Sequence, residues 1–146
     1  MTDVFERVLL PVAGDEDAAA TTRAAEPHLD GDIVAIHVVE KAGGAVDKAG
    51  VEQREEEAEK AFDVLRDAFG DIETEIRYGT DVADTIFAAA DDHDVTSIVV
   101  TPRGGSRFVR LLTGDVALEL VTESDRPVVV LPDPGTDADT GGGGGS

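Results

Sequence analysis

The 146-residue chain contains no cysteine, which excludes a disulfide framework, a thiolate nucleophile and any cysteine-held metal. It has no apolar stretch approaching the ~18 residues of a membrane span, and Met1-Thr2-Asp3 opens no secretory signal. Both absences lead us to expect a cytoplasmic protein with no membrane partner. Lysine is scarce. Lys41, Lys48 and Lys60 are the only three, and twelve bases in all face thirty-two acids, giving a formal charge of −20. Such an excess disfavours nonspecific association with nucleic acid or anionic lipid. Neither a P-loop ending in Gly-Lys-Ser/Thr nor a G-x-G-x-x-G fingerprint is present, so two widespread nucleotide-binding signatures are missing.

What is present has to live with that charge. Self-repulsion of this size destabilises a compact state at ordinary salt. It becomes tolerable where the Debye length shrinks to roughly 3 Å, as at molar salt. Acid-rich, lysine-poor and rich in small residues, the chain reads as a cytosolic protein of a salt-accumulating halophile. An acidic disordered chain is the rival, and recurrent apolar segments argue against it.

Four continuous apolar runs stand out: Val8 to Leu10, Ile33 to Val39, Ile98 to Val100 and Val128 to Leu131. Runs without alternation suit strands covered on both faces, as in a parallel sheet. Residues 72–78 instead alternate Ile72, Thr74, Ile76 and Tyr78 with Glu73, Glu75 and Arg77, the pattern of a half-exposed edge strand. Helical stripes lie between the runs. Ala58, Ala61, Phe62, Leu65, Ala68 and Phe69 form one; Val82, Ala83, Ile86, Phe87 and Ala90 form another. Leu112, Val116, Leu120 and Val121 suggest a third, starting near Gly114. Residues 15–29 make an alanine-rich helix opened by acids, which Pro27 ends or kinks. The order βαβαβαβαβ predicts a doubly wound α/β sheet with right-handed crossovers, in one domain over residues 1–132. Residues 41–51 read as a surface loop. Residues 133–146 read as a disordered Gly-rich tail, native or a linker.

The segment "TPRGGSRFVRLLTGD", residues 101–115, runs against the composition. From Val95 to Gly114 there are three arginines, Arg103, Arg107 and Arg110, and no acid. Two readings stand: solubilising surface charge, or an anion site in which arginines beside amide-donating glycines hold a phosphate bidentately. Asp91-Asp92-His93-Asp94 reads first as a solvated helix terminus and second as a metal site; no metal is assigned. His37 reads as a satisfied core or strand-end histidine, and His28 as exposed. No catalytic residue is assigned. A hydrolase would need Ser106 to meet His37 near the carboxyl ends of the strands, where such folds bind ligands.

The pieces, in order, resemble the universal stress protein family from Arg7 to Leu131. They are Val8-Leu9-Leu10-Pro11-Val12, Ala35-Ile36-His37-Val38-Val39, Gly79, Ser97 to Val100, Gly104-x9-Gly114 and Arg126-Pro127-Val128-Val129-Val130-Leu131. The resemblance implies a five-stranded parallel sheet of order 3-2-1-4-5 with helices on both faces. Such a fold is Rossmann-like, of the adenine nucleotide alpha hydrolase type. It also implies a homodimer through the last strand, with Val128, Val129, Val130 and Leu131 at the interface. Its nucleotide-binding members carry G-x-x-G-x9-G followed by Ser or Thr, and an early aspartate after a proline. The glycines let backbone amides approach phosphates at a helix N-terminus. Carried over, the candidate contacts are Val38, Arg103, Gly104, Gly105, Ser106, Arg107, Gly114, Asp115 and Val116. The chain departs from the pattern in three places: Thr101 stands for the first glycine, Asp115 for the hydroxyl residue and Ala13 for the aspartate, with Asp15 two residues on.

The expectation is a regulatory or binding module of the stress response, acting on an unidentified protein partner, with a degenerate nucleotide loop. The alternatives are a nucleotide-responsive switch binding ATP or AMP with Mg²⁺, and, as an enzyme, a phosphate-ester hydrolase.

Overall fold

In the computed structural model, residues 3–40, 48–101 and 114–131 are described, apart from the side chains of 15–17, 40, 48–49 and 114–117. The elements run β1 (Arg7–Pro11), α1 (Asp15–Ala25), β2 (Asp32–Glu40), α2 (Lys48–Phe69), β3 (Glu73–Gly79), α3 (Val82–His93), β4 (Ser97–Val100), α4 (Gly114–Glu123) and β5 (Val128–Val130). All five strands pair in parallel in the order β3-β2-β1-β4-β5. Three of the apolar runs became the inner strands β1, β2 and β4, because only a strand covered on both faces can bury consecutive side chains. The fourth, Val128 to Leu131, differs from that expectation: it supplies the edge strand β5, half-buried at Val128 and Val129 and exposed at Val130, because no strand lies beyond it. The alternating run became edge strand β3, whose residues are mostly half-buried.

The two faces of the sheet carry separate cores. Val12 and Ala35 pack under Ala58, Ala61, Phe62 and Leu65 of α2 and Ala18 of α1. Leu9, Val34, Ile36, Ile98 and Val100 pack under Ala83, Ile86, Ala89 and Ala90 of α3 and Leu120 of α4. The expected surface loop 41–51 requires a correction. Residues 48–51 already belong to α2; the rest of that loop lies outside the described residues, as does the tail. Without an apolar stripe in residues 48–51, the helix start could not be read from periodicity. Helix α1 ends at Ala25, two residues before Pro27, as proline's clash with the preceding turn requires.

Arginines fasten the termini of these elements. Arg126 donates through Nη1 to the carbonyls of Ala90 (2.7 Å) and Val95 (3.1 Å) and through Nη2 to Asp91 (2.7 Å). It thereby ties the end of α3 to the turn before β5. Asp94 closes α3 in the left-handed conformation at φ 52°, which the short polar aspartate tolerates. At the other edge Arg77 pairs with Asp92 at 2.8 Å and Glu75 at 3.0 Å, while His93 Nε2 lies 2.7 Å from Glu75. Burial alone would raise the Glu75 carboxyl, but hydrogen bonds from His93 and Arg77 outweigh it and hold it below the usual range. The acidic run at the end of α3 thus engages separate basic partners. Among the described residues, no helix is long and apolar enough to cross a membrane.

Candidate functional site

A doubly wound sheet offers its ligand crevice at the carboxyl ends of the strands, where neighbouring crossovers leave in opposite directions. Here that point lies between β1 and β4, which pair in the register Val8↔Ser97 and Leu9↔Ile98. Extended by three residues, this register places Thr101 level with Val12. Extended by one from Pro11↔Ile36, the pairing of β1 with β2 places His37 at the same level. Val38 follows on the opposite face, half-buried against the α3 side of the core.

This level is anchored by backbone and imidazole together. Val12 N–H donates to the Ile36 carbonyl at 2.9 Å, and His37 Nδ1 lies 3.0 Å from the Val12 carbonyl. A carbonyl can only accept, so the ring carries its proton on Nδ1. Nε2 is then an acceptor, and it is buried without a partner among the described residues. The expectation of a satisfied histidine is therefore half met. Burial pushes the His37 imidazole below its ordinary pKa, only partly opposed by the bond to Val12. His28 is exposed, as expected.

Thr101 directly follows β4 and is 1% exposed, with its Oγ1 also unpartnered among the described residues. The position that the nucleotide-binding pattern reserves for a bare backbone thus carries a buried, branched side chain. Gly14 caps α1 without a side-chain hydrogen bond, so that helix keeps first-turn amides free of a side-chain cap. Gly114, Asp115 and Val116 form the first turn of α4, the helix the glycine pattern leads into; the side chains of Asp115 and Val116 are among those left undescribed. Arg103, Gly104, Gly105, Ser106, Arg107 and Arg110 lie outside the described residues.

A cleft of about 580 Å³ opens at the end of β3 and the start of α3. Arg77, Gly79, Asp81, Asp84 and Thr85 line it. Asp81 caps α3 by accepting from Asp84 N–H at 2.9 Å, and Thr85 Oγ1 donates to the Asp81 carbonyl at 2.7 Å. A Cβ on Gly79 would press on the Thr85 side chain, whose hydroxyl is held by the Asp81 carbonyl. The carboxylates of Asp81, Asp84 and Glu119 gather within 4.8 Å of one another. An anionic ligand would meet repulsion from these three carboxylates. Sequence reasoning missed this cluster. The Asp81–Asp84 spacing was readable as a helix start, but the approach of Glu119 depends on how α4 packs on α3.

The sequence profile of the Universal stress protein family matches residues 5–132. Among solved structures, a universal stress protein from Archaeoglobus fulgidus in complex with dAMP superposes with a TM-score of 0.61 at 18% identity, covering 88% of this chain and 99% of its own. The universal stress protein UspA from Lactobacillus plantarum gives 0.60 at 25% identity, covering 89% and 99%. A universal stress protein in complex with cAMP gives 0.63 at 18% identity, covering 90% and 99%. No curated protein matches the sequence.

Proposed function

Because the chain belongs to the universal stress protein family, we propose that it is a stress-response binding module whose nucleotide loop has degenerated. The observation that carries this reading is the burial of Thr101 where the nucleotide-binding pattern has its first glycine. A β-branched residue there removes the close backbone approach that glycine permits. Asp115 reinforces it. In the first turn of α4 an aspartate can cap the amides that nucleotide-binding relatives leave for phosphate, and its charge opposes a triphosphate. The output is then a protein partner's activity. The protein works as a homodimer through its last strand in the cytoplasm of a salt-accumulating cell, and light scattering at molar salt tests the pairing.

Calorimetric titration of ATP and AMP into wild type, Asp115→Ser and Thr101→Gly, with and without Mg²⁺ at constant high salt, tests the loop. Weak wild-type binding, rescued by either substitution, is expected. Micromolar wild-type affinity unchanged by serine would overturn it and favour the second reading, a nucleotide-responsive switch. That reading draws on the dAMP and cAMP complexes of two structural neighbours and on the acid-free arginine segment.

A further inference from the structure

On one side the sheet ends at β3, and no described strand lies beyond it. Backbone polarity along that edge follows from β2. Asp32 N–H donates to the Glu6 carbonyl at 3.0 Å, and the Ile36 carbonyl accepts from Val12 N–H at 2.9 Å. Even-numbered residues of β2 therefore turn their backbone groups to β1, and Ala35 and His37 turn theirs to β3. In a parallel pair each such residue bonds to the two that flank its opposite number, and the opposite numbers here are Thr74 and Ile76. Glu73, Glu75 and Arg77 are thereby engaged with β2. The N–H and C=O groups of Thr74 and Ile76 face outward and have no partner among the described residues.

A groove of about 580 Å³ runs along this edge, between β3 and α2. Half-buried Ile76 gives it an apolar floor, and Glu52, Glu55, Glu56, Glu59 and Lys60 line its wall. Spacings of three and four set these glutamates on one flank of the helix. Glu55 accepts from the Tyr78 hydroxyl. Among the described residues, no ion pair engages Glu52, Glu56 or Glu59. The acids of the strand itself are matched: Glu73 meets Arg7 at 2.6 Å and Glu75 meets Arg77 at 3.0 Å. Farther along α2, Arg66 shows how a cation bridges the two elements. Its guanidinium pairs with Asp63 at 2.9 Å and donates to Thr74 Oγ1 at 3.2 Å.

Resting on the protein-partner output proposed above, we infer that the partner docks through an extended basic segment that adds as a strand to β3, with its Lys or Arg side chains in the α2 groove. Main-chain bonds to Thr74 and Ile76 supply the attachment and the groove supplies selectivity, the usual division in strand addition. A long basic side chain lays its methylene stem on Ile76 while its head reaches the glutamates. Charge selects the occupant. A second copy would bring its own α2 glutamates against these, whereas a basic strand gives them counter-ions. At molar salt the Debye length is about 3 Å, so only charges in direct contact attract. A strand laid in the groove provides that contact, and a loosely associated polycation does not.

The probe is a dye-labelled heptapeptide alternating Lys and Thr, titrated into the full-length protein by fluorescence anisotropy at molar KCl. It should bind, and its Glu-Thr counterpart should not. Methylating the backbone nitrogens of alternate residues should abolish binding for one alternate set and largely spare it for the other, since only one set faces β3. Glu52→Gln, Glu56→Gln and Glu59→Gln combined should weaken binding about tenfold. A control combining Glu6→Gln, Glu26→Gln and Glu123→Gln, exposed acids elsewhere, should leave it unchanged. Ile76→Pro removes an outward N–H where an edge strand accommodates proline, and should abolish binding while circular dichroism stays native. If that variant unfolds, the methylated peptides read the same pairing on wild type. Absence of binding, or equal losses in the two glutamine triples, would overturn the groove as the docking site. Binding indifferent to methylation of either set would overturn strand addition. The titration contains no nucleotide, so its failure is distinct from failure of the degenerate-loop reading, which ATP calorimetry decides.

Discussion

At the scale of single residues, Gly31 and His37 make the sharpest claims. A Cβ on Gly31 would come 2.6 Å from the Glu6 carbonyl oxygen and 2.7 Å from that of Phe5. Both are backbone atoms, and Glu6 also accepts from Asp32 N–H at 3.0 Å. Gly31→Ala should therefore cost about 1–3 kcal/mol, as overpacking does. Gly14→Ala, with nothing within 4 Å of the new methyl, should lose only about half a kcal/mol of capping preference. Urea midpoints of the two variants check this, and equal losses would rule out the close approach. His37 makes a claim about pH. Its folded-state pKa is depressed by burial, while the unfolded chain titrates at about 6.5. As pH falls through 6.5 the unfolded state takes up a proton that the folded state resists, so stability drops on acidification. The loss levels off below the depressed folded value. His37→Asn should flatten the stability slope between pH 7.5 and 5.5, and an unchanged slope would remove His37 from the account. The imidazole's burial was readable from its place in an apolar run. Its half-satisfied state was not, because that depends on which nitrogen reaches a carbonyl from another strand.

At the scale of elements, sequence pattern and structure agree where periodicity is strong and part where packing decides. Continuous runs gave β1, β2 and β4, and alternation alone identified β3 as an edge strand; the sheet order then placed it there. Helix α2 began earlier than its apolar stripe because its first residues fulfil helical geometry without burying a face. The candidate site divides in the same way. Val38 and the start of α4 enter as candidates through the family resemblance, whereas the cluster of Asp81, Asp84 and Glu119 needs two elements, α3 and α4, to be brought together. Arg126 shows what one-dimensional reading loses: it looks like a residue before a proline, yet it clamps the end of α3 from 31 and 36 residues away. Arg126→Ala should cost about 1–3 kcal/mol, because two carbonyls and Asp91 lose a charged donor. Arg126→Lys should recover only part, since an ammonium lacks the planar fork that reaches several acceptors at once. Thermal melts at fixed salt compare them, and full rescue by lysine would reduce the clamp to simple charge pairing.

At the scale of the whole molecule, charge sets the conditions under which everything else holds. With twenty more acids than bases, and Glu52, Glu55, Glu56 and Glu59 lining one side of α2, screening should stabilise the fold. The thermal midpoint should rise substantially between low salt and molar potassium chloride. A flat or falling midpoint would contradict adaptation to a salty interior. How such a melt is watched matters as well. The sequence has no tryptophan and one tyrosine, and that tyrosine bridges β3 to α2 through Glu55. Apart from faint phenylalanine bands, the protein's near-ultraviolet absorbance and emission therefore come from one phenol at one corner. A fluorescence trace would record the parting of α2 from β3 and pass over the opposite edge of the sheet, where β5 could leave β4 unseen.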